Sequence, residues 1–553
     1  MNKVKAIVVL LLAMGVLTLR GFSNEPGPPA GPVAMSGDVI FLDQGWNPEE
    51  RQAYYHADQG TRLIPYKWFL ALEQPGLSGK PFLSDNILDE YNLLSDSDTT
   101  NNPDRLPVGL VKNVAPDGEF IGLTCAACHT SQIQFNGKKV RIEGGAAMSS
   151  PNTFSATMFK ALLETKLNPI KFSRFAKKVL GDQNSLGERI KLKIEITKTL
   201  EAVFADALLA KAKHLYPLEE GFGRLDALGR GGNLIFGSEL DNRNLAVANG
   251  PVSLPNLWDA PSFDWVQWNG SIQQPMARNI AEALGVNAPI KLKGNSQELF
   301  DSTVPVENLH KVELLLEKLR PPKWPEEVLG NIDREKAARG EALYTQHCAG
   351  CHESQLGPPN EFGKRFLHIQ MYPLDVIGTD PTTATNFNRR TVLTPGLSLP
   401  DPVSAAGALE AVATEVEKKK YDALGLTPEQ RIEMNGFRAN KLRPTLSYRA
   451  RNMNGIWASP PYLHNGSVPN LYELLLPASQ RSRTFYVKDM EFDTQRVGYK
   501  TGKTPGAFKF DTSKAGNSNS GHEYADGPRK NGVIGPALTD EERWAIVEYL
   551  KTR

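Results

Sequence analysis

Arg339–His352, RGEALYTQHCAGCH, ends in Cys348-x-x-Cys351-His352, and the same spacing occurs once more, as CAACH, at Cys125, Cys128 and His129. The chain has four cysteines and all four stand in these two motifs, so none is left for a disulfide. Two thiols one helical turn apart add to the two vinyl groups of one haem, and the histidine that follows turns its imidazole onto the iron. A zinc site needs further Cys or His ligands at matching spacing, and neither pair has them. A thioredoxin-type dithiol has no need of the histidine. The motifs therefore predict two covalently bound haem c groups, with His129 and His352 as iron ligands.

Outward from the second motif, a helix is expected over Asp333–His347. Gly340 and Tyr344 lie one turn apart on it, and a small residue lets two helices cross closely. The expected partner is the last helix, Arg543 to Lys551, started by Thr539 with Glu542 in a capping box. Trp544, Tyr549 and Leu550 would face Gly340 and Tyr344. Trp544, Ile546, Val547 and Leu550 form that helix's apolar stripe. A further helix is expected at about Val403–Tyr421. Upstream, Pro321, Pro322 and Pro325 punctuate the chain, which places a domain boundary there. Phe154 to Leu215 reads as helical, with Ile190, Ile194, Leu200, Val203, Phe204 and Leu208 toward a core. Pro65 is expected to open a short helix, Tyr66–Leu72. The fold class is mainly α: two cytochrome c-like haem domains with long irregular insertions, spanning residues 25–325 and 326–553.

The N-terminus carries Lys3 and Lys5 before an apolar run from Ala6 to Leu19, so residues 1–24 read as an export signal and the mature protein as periplasmic or secreted. No later apolar run approaches the ~18 residues of a membrane span, so no stable span is expected. The formal charge is +1, from 63 basic and 62 acidic residues, which argues against a nucleic-acid partner.

The sixth ligand of each iron decides between electron transfer and chemistry. In the second half, SPPYLHNGS presents His464 on a stiff loop between prolines and an Asn-Gly turn, either as that ligand or as a turn-stabilising residue. Met453 and His368 are the next candidates. The first half shows no comparable histidine: His214 and His310 read as surface residues. It offers instead NLWDAPSFDWVQWNG, residues 256–270, where Phe263, Trp265 and Trp268 would roof a haem or simply fill a core. Arg278 and Glu282 follow at helical spacing, fitted to distal proton transfer or to an ordinary surface pair.

These residues carry a resemblance. Two C-x-x-C-H motifs about two hundred residues apart, the second preceded by R-G-x-x-L-Y, with the stretch from Arg451 to Leu475, resemble the bacterial dihaem cytochrome c peroxidase (MauG-like) superfamily. The block Tyr54–Glu73 and the segment DWVQWNG (264–270) resemble its larger branch, which includes the dihaem rubber oxygenases. The resemblance implies an N-terminal haem that reacts with peroxide or dioxygen and a six-coordinate C-terminal haem that passes electrons. It also implies a small redox protein or quinone-linked donor, and it brings a bridging calcium ion into consideration. In the oxygenase branch His464 would be the sixth ligand of the second iron. The other readings are an oxygenase cleaving an unsaturated hydrocarbon such as polyisoprene, and a dihaem electron carrier without catalysis.

Overall fold

Helix Arg334–His347 starts at Asp333, whose carboxylate accepts from the Lys336 backbone N–H. It crosses the final helix, Asp540–Leu550, which has the expected capping box at Thr539 and Glu542. The crossing is close enough that a Cβ on Gly340 would run into the Ala545 carbonyl and sit 2.9 Å from Tyr549 Cβ. Tyr344 and Tyr549 pack with ring centroids 5.1 Å apart. Trp544 is not part of this contact: it stacks on Tyr472 at 4.2 Å on the other side of the helix. Gly340→Val is expected to cost about 2–3 kcal/mol by overpacking. A denaturant titration checks it, with Gly502→Ala, where an added Cβ meets nothing within 4 Å, as the neutral control.

These coordinates come from a computed structural model, which describes residues 34–553 apart from 37, 97 and 99. The export signal expected at residues 1–24 lies outside the described residues. Among the described residues no helix is long and apolar enough to cross a membrane.

The first motif has no preceding helix. It occupies a tight turn, Cys125–Ala127, between strand Gly118–Leu123 and strand Thr130–Phe135. Strand Gly118–Leu123 pairs with Leu110–Ala115 around a Pro-Asp-Gly turn, and Thr130–Phe135 pairs with Lys138–Glu143 around Asn136-Gly137, both at positive φ. The described residues are 40% helical and 15% strand. The expectation of a mainly α fold with two matching cytochrome c-like halves is thus met only in part: turn chemistry sets the first motif among hairpins.

The long helix Leu186–Ala212 is present, but it buries Leu192, Ile196 and Leu200, while Ile190, Ile194, Phe204 and Leu208 are exposed. Of the residues expected in the core, Leu200 is therefore buried and Ile190, Ile194, Phe204 and Leu208 are not, because the helix is apolar on two sides. Helix Tyr66–Ala71 follows Pro65, and helix Ala405–Ala423 stands where a helix was expected. One apolar core draws Tyr54, Ile133, Trp258 and Leu316 from before Pro321–Pro325 together with Tyr344, Trp457 and Ile546 from after it. A second core joins helix Pro275–Gly285 to Ala405–Ala423. The Pro-rich segment therefore lies within shared packing: Trp457 donates to the Pro322 carbonyl at 2.9 Å.

Candidate functional site

Thr124 starts the turn of the first motif: its hydroxyl donates to the Tyr55 carbonyl at 3.0 Å and accepts from the Ala126 N–H. His129 Nδ1 lies 2.7 Å from the Pro255 carbonyl. A carbonyl only accepts, so Nδ1 carries the proton and Nε2 keeps a free lone pair. Burial lowers the His129 pKa to about 4, which keeps the ring neutral and fit to ligate. In the second motif His352 Nδ1 lies 2.8 Å from the Arg451 carbonyl, the same arrangement. Such a second contact fixes ring and tautomer in metal-binding histidines.

The two carbonyls open two loops of the same shape. Asp259 and Gly455, four residues on, both have φ near +65°. Short 3-10 turns follow, Ala260–Ser262 and Ile456–Ala458. Gln267 and Leu463 again have positive φ, at 69° and 61°. Isolated bridges Val266–Ile272 and Tyr462–Val468 close the loops, and Gln274 and Asn470 cap the helices that follow. In this register Trp268 of the first loop occupies the place of His464 in the second, each followed by Asn-Gly-Ser.

Around the second motif lies a cavity of about 330 Å³, lined by Cys348, Cys351, His352, Trp268, Tyr372, His464 and His522 among others. The imidazole facing His352 is that of His522: the ring centroids are 6.1 Å apart, with the planes at 64°. An imidazole bound at about 2 Å has its centroid about 3 Å from the metal, so two rings across one metal stand about 6 Å apart. His464, the residue expected there, stacks on Tyr448 at 3.9 Å, and its carbonyl accepts from Ser253 N–H at 2.8 Å. The structure therefore corrects the choice of facing residue from His464 to His522. Of the other candidates, His368 is exposed and paired with Asp264 at 2.7 Å, and Met453 lines the cavity.

The aromatic residues of the first half do not make one roof. Phe263 is buried in a small cluster with Val266, Ile272 and Ile369. Trp265 turns away and stacks under Arg443 at 3.7 Å. Trp268 donates to the Ser253 carbonyl at 2.8 Å and lines the second cavity. Arg278 and Glu282 are not a surface pair. Arg278 is buried and donates to Glu313 and to Asn279. Glu282 accepts from Gln267 Nε2 at 3.1 Å, and burial raises its pKa. Burial lifts the Cys125 and Cys128 thiols to about 12, and both feel the charge of Glu282, which places this polar group near the first motif. Glu313 belongs to the group but was not singled out in the sequence. The signal was there: it stands on the apolar stripe Val306, Leu309, Val312, Leu316.

Among the described residues no cluster of three or more His, Cys, Asp or Glu is placed to hold a metal ion, so no acidic cage for calcium is present there. Free thiols, a lone pair on each motif histidine and an apolar cavity at the second motif fit a haem group.

Fold and site define a cytochrome c-type protein, one that binds haem c covalently, and residues 447–486 match the family described as "RoxA-like, cytochrome c-like". The chain belongs to the same family as the uncharacterized protein y4iJ of Sinorhizobium fredii (strain NBRC 101917 / NGR234): the two are 40% identical over 562 residues, covering 93% of each. The uncharacterized protein y4iM of the same organism is 31% identical over 322 residues, 55% of this chain and 64% of that one.

Proposed function

We propose that this protein is an exported dihaem c-type oxidoreductase whose first site reacts with peroxide or dioxygen while the second transfers electrons. One observation carries the reading: matching loops hold both motif histidines, yet an imidazole faces His352 with ring centroids 6.1 Å apart, and among the described residues no histidine ring pairs with His129 in this way. Haem bound at these motifs supplies iron that exchanges single electrons and takes an exogenous ligand where one axial position is open. His522 closes the second site. Glu282, whose pKa is raised by burial and whose carboxylate is held by Gln267, is the group that would donate a proton at the first site. Arg278, tied to Glu313, puts a fixed positive charge beside it. The likeness of residues 447–486 to a RoxA-like family favours, as second reading, oxygenase chemistry on an unsaturated hydrocarbon such as polyisoprene. The electron donor is a small redox protein or a quinone-linked carrier.

Intact mass tests the foundation. The purified protein is expected to exceed its processed polypeptide by two haems that survive acid-acetone extraction. A single added haem would end the division of labour proposed here.

A further inference from the structure

Arg449 lies on strand Ser447–Ala450, opposite Met371, in the wall of the second cavity. Its backbone N–H donates to the Trp268 carbonyl at 3.0 Å, and its guanidinium sits 5.8 Å over the Phe263 ring. Its Nε and Nη1 are shut off from solvent and have no hydrogen-bond partner. No carboxylate lies in ion-pair reach among the described residues. The charges it feels, Arg451 and Arg278, are both positive, and with burial they pull its pKa down to about 9. Arg451 lines the same cavity.

A buried guanidinium without a counter-charge costs several kcal/mol, and folded proteins leave few buried donors unpaired. Among the described residues, nothing supplies the anion. A haem attached at Cys348 and Cys351 brings two propionate carboxylates into this cavity, and a planar fork of N–H donors suits a carboxylate.

We infer that Arg449 is the propionate-binding residue of the second haem, seated beside Trp268 in the wall of the cavity; this rests on the reading of a haem at Cys348–His352. The bound cation has a second effect. It favours the reduced iron, whose net charge is one unit lower, and it keeps the propionate ionised across neutral pH. Arg449 is thus a positioning residue for the potential of the electron-transfer haem.

The test is a spectroelectrochemical titration of the two-haem protein and of Arg449→Met, Arg449→Gln and Arg449→Lys, each first weighed for two attached haems. In the neutral variants the potential of the six-coordinate haem is expected to fall and to become pH-dependent between pH 6 and 8, as the propionate takes up a proton. Arg449→Lys restores much of both. A wild-type mass with one haem refutes the underlying reading. Two haems with an unchanged potential and no pH slope in either neutral variant refute the role of Arg449 alone.

Discussion

His522→Ala is expected to turn the second haem from low-spin to high-spin, while His464→Ala leaves it low-spin. The centroid separation of 6.1 Å between His352 and His522 is the spacing of two imidazoles across one iron. The backbone that carries the ring is held from two sides. The His522 N–H donates to the Ile377 carbonyl at 2.9 Å, and its own carbonyl accepts from Arg481 at 2.8 Å. Its φ is 46° and that of Gly521 is 73°, so two consecutive residues take the left-handed conformation. A Cβ on Gly521 would collide with the Gly378 backbone. Non-glycine residues seldom adopt this conformation, and such strain gathers where a side chain must be aimed. Burial brings the His522 pKa to about 3, so the ring keeps its lone pair. Electron paramagnetic resonance of the oxidised variants reads the outcome directly. A low-spin second haem in His522→Ala, or a high-spin one in His464→Ala, returns the ligand role to the loop at 459–467.

What was legible in the sequence follows from how local each signal is. The haem motifs, the Gly340 crossing and the capping box at Thr539 are set by residues within a few positions of one another. The hairpins flanking the first motif are equally local, since Asn136-Gly137 is a strong turn signal, and the mainly α expectation passes over them. The twin loops were visible as WNGSI at 268–272 and HNGSV at 464–468. His522 was not legible. It sits in a polar stretch with no periodicity, and only long-range bonds to Ile377 and Arg481 bring it across the cavity. Its distance in sequence from His352 gives no hint of that meeting. His464 drew attention because proline and Asn-Gly surround it, and those same features make it a good structural turn.

In the reduced protein, carbon monoxide is expected to bind one iron per chain, the one held by His129. Among the described residues no histidine ring pairs with His129 as His522 pairs with His352. An iron with one strong axial ligand accepts an outside molecule, whereas one with two resists it. The polar group near the first motif gives that open side a proton source. Glu282→Gln keeps the shape and the Gln267 contact but removes the acid, so it is expected to slow peroxide turnover about 10²-fold while leaving carbon monoxide affinity nearly unchanged. With the native acid, turnover should fall as pH rises through the raised pKa of Glu282, because the protonated form is the competent one. Ligand stoichiometry comes from difference spectra, and His522→Ala should raise it from one to two. If carbon monoxide and cyanide bind neither iron in either oxidation state, the enzyme reading gives way to a closed dihaem electron carrier. If both irons bind in the native protein, the division between an open and a closed site is wrong, and the pairing of His352 with His522 does not survive haem attachment.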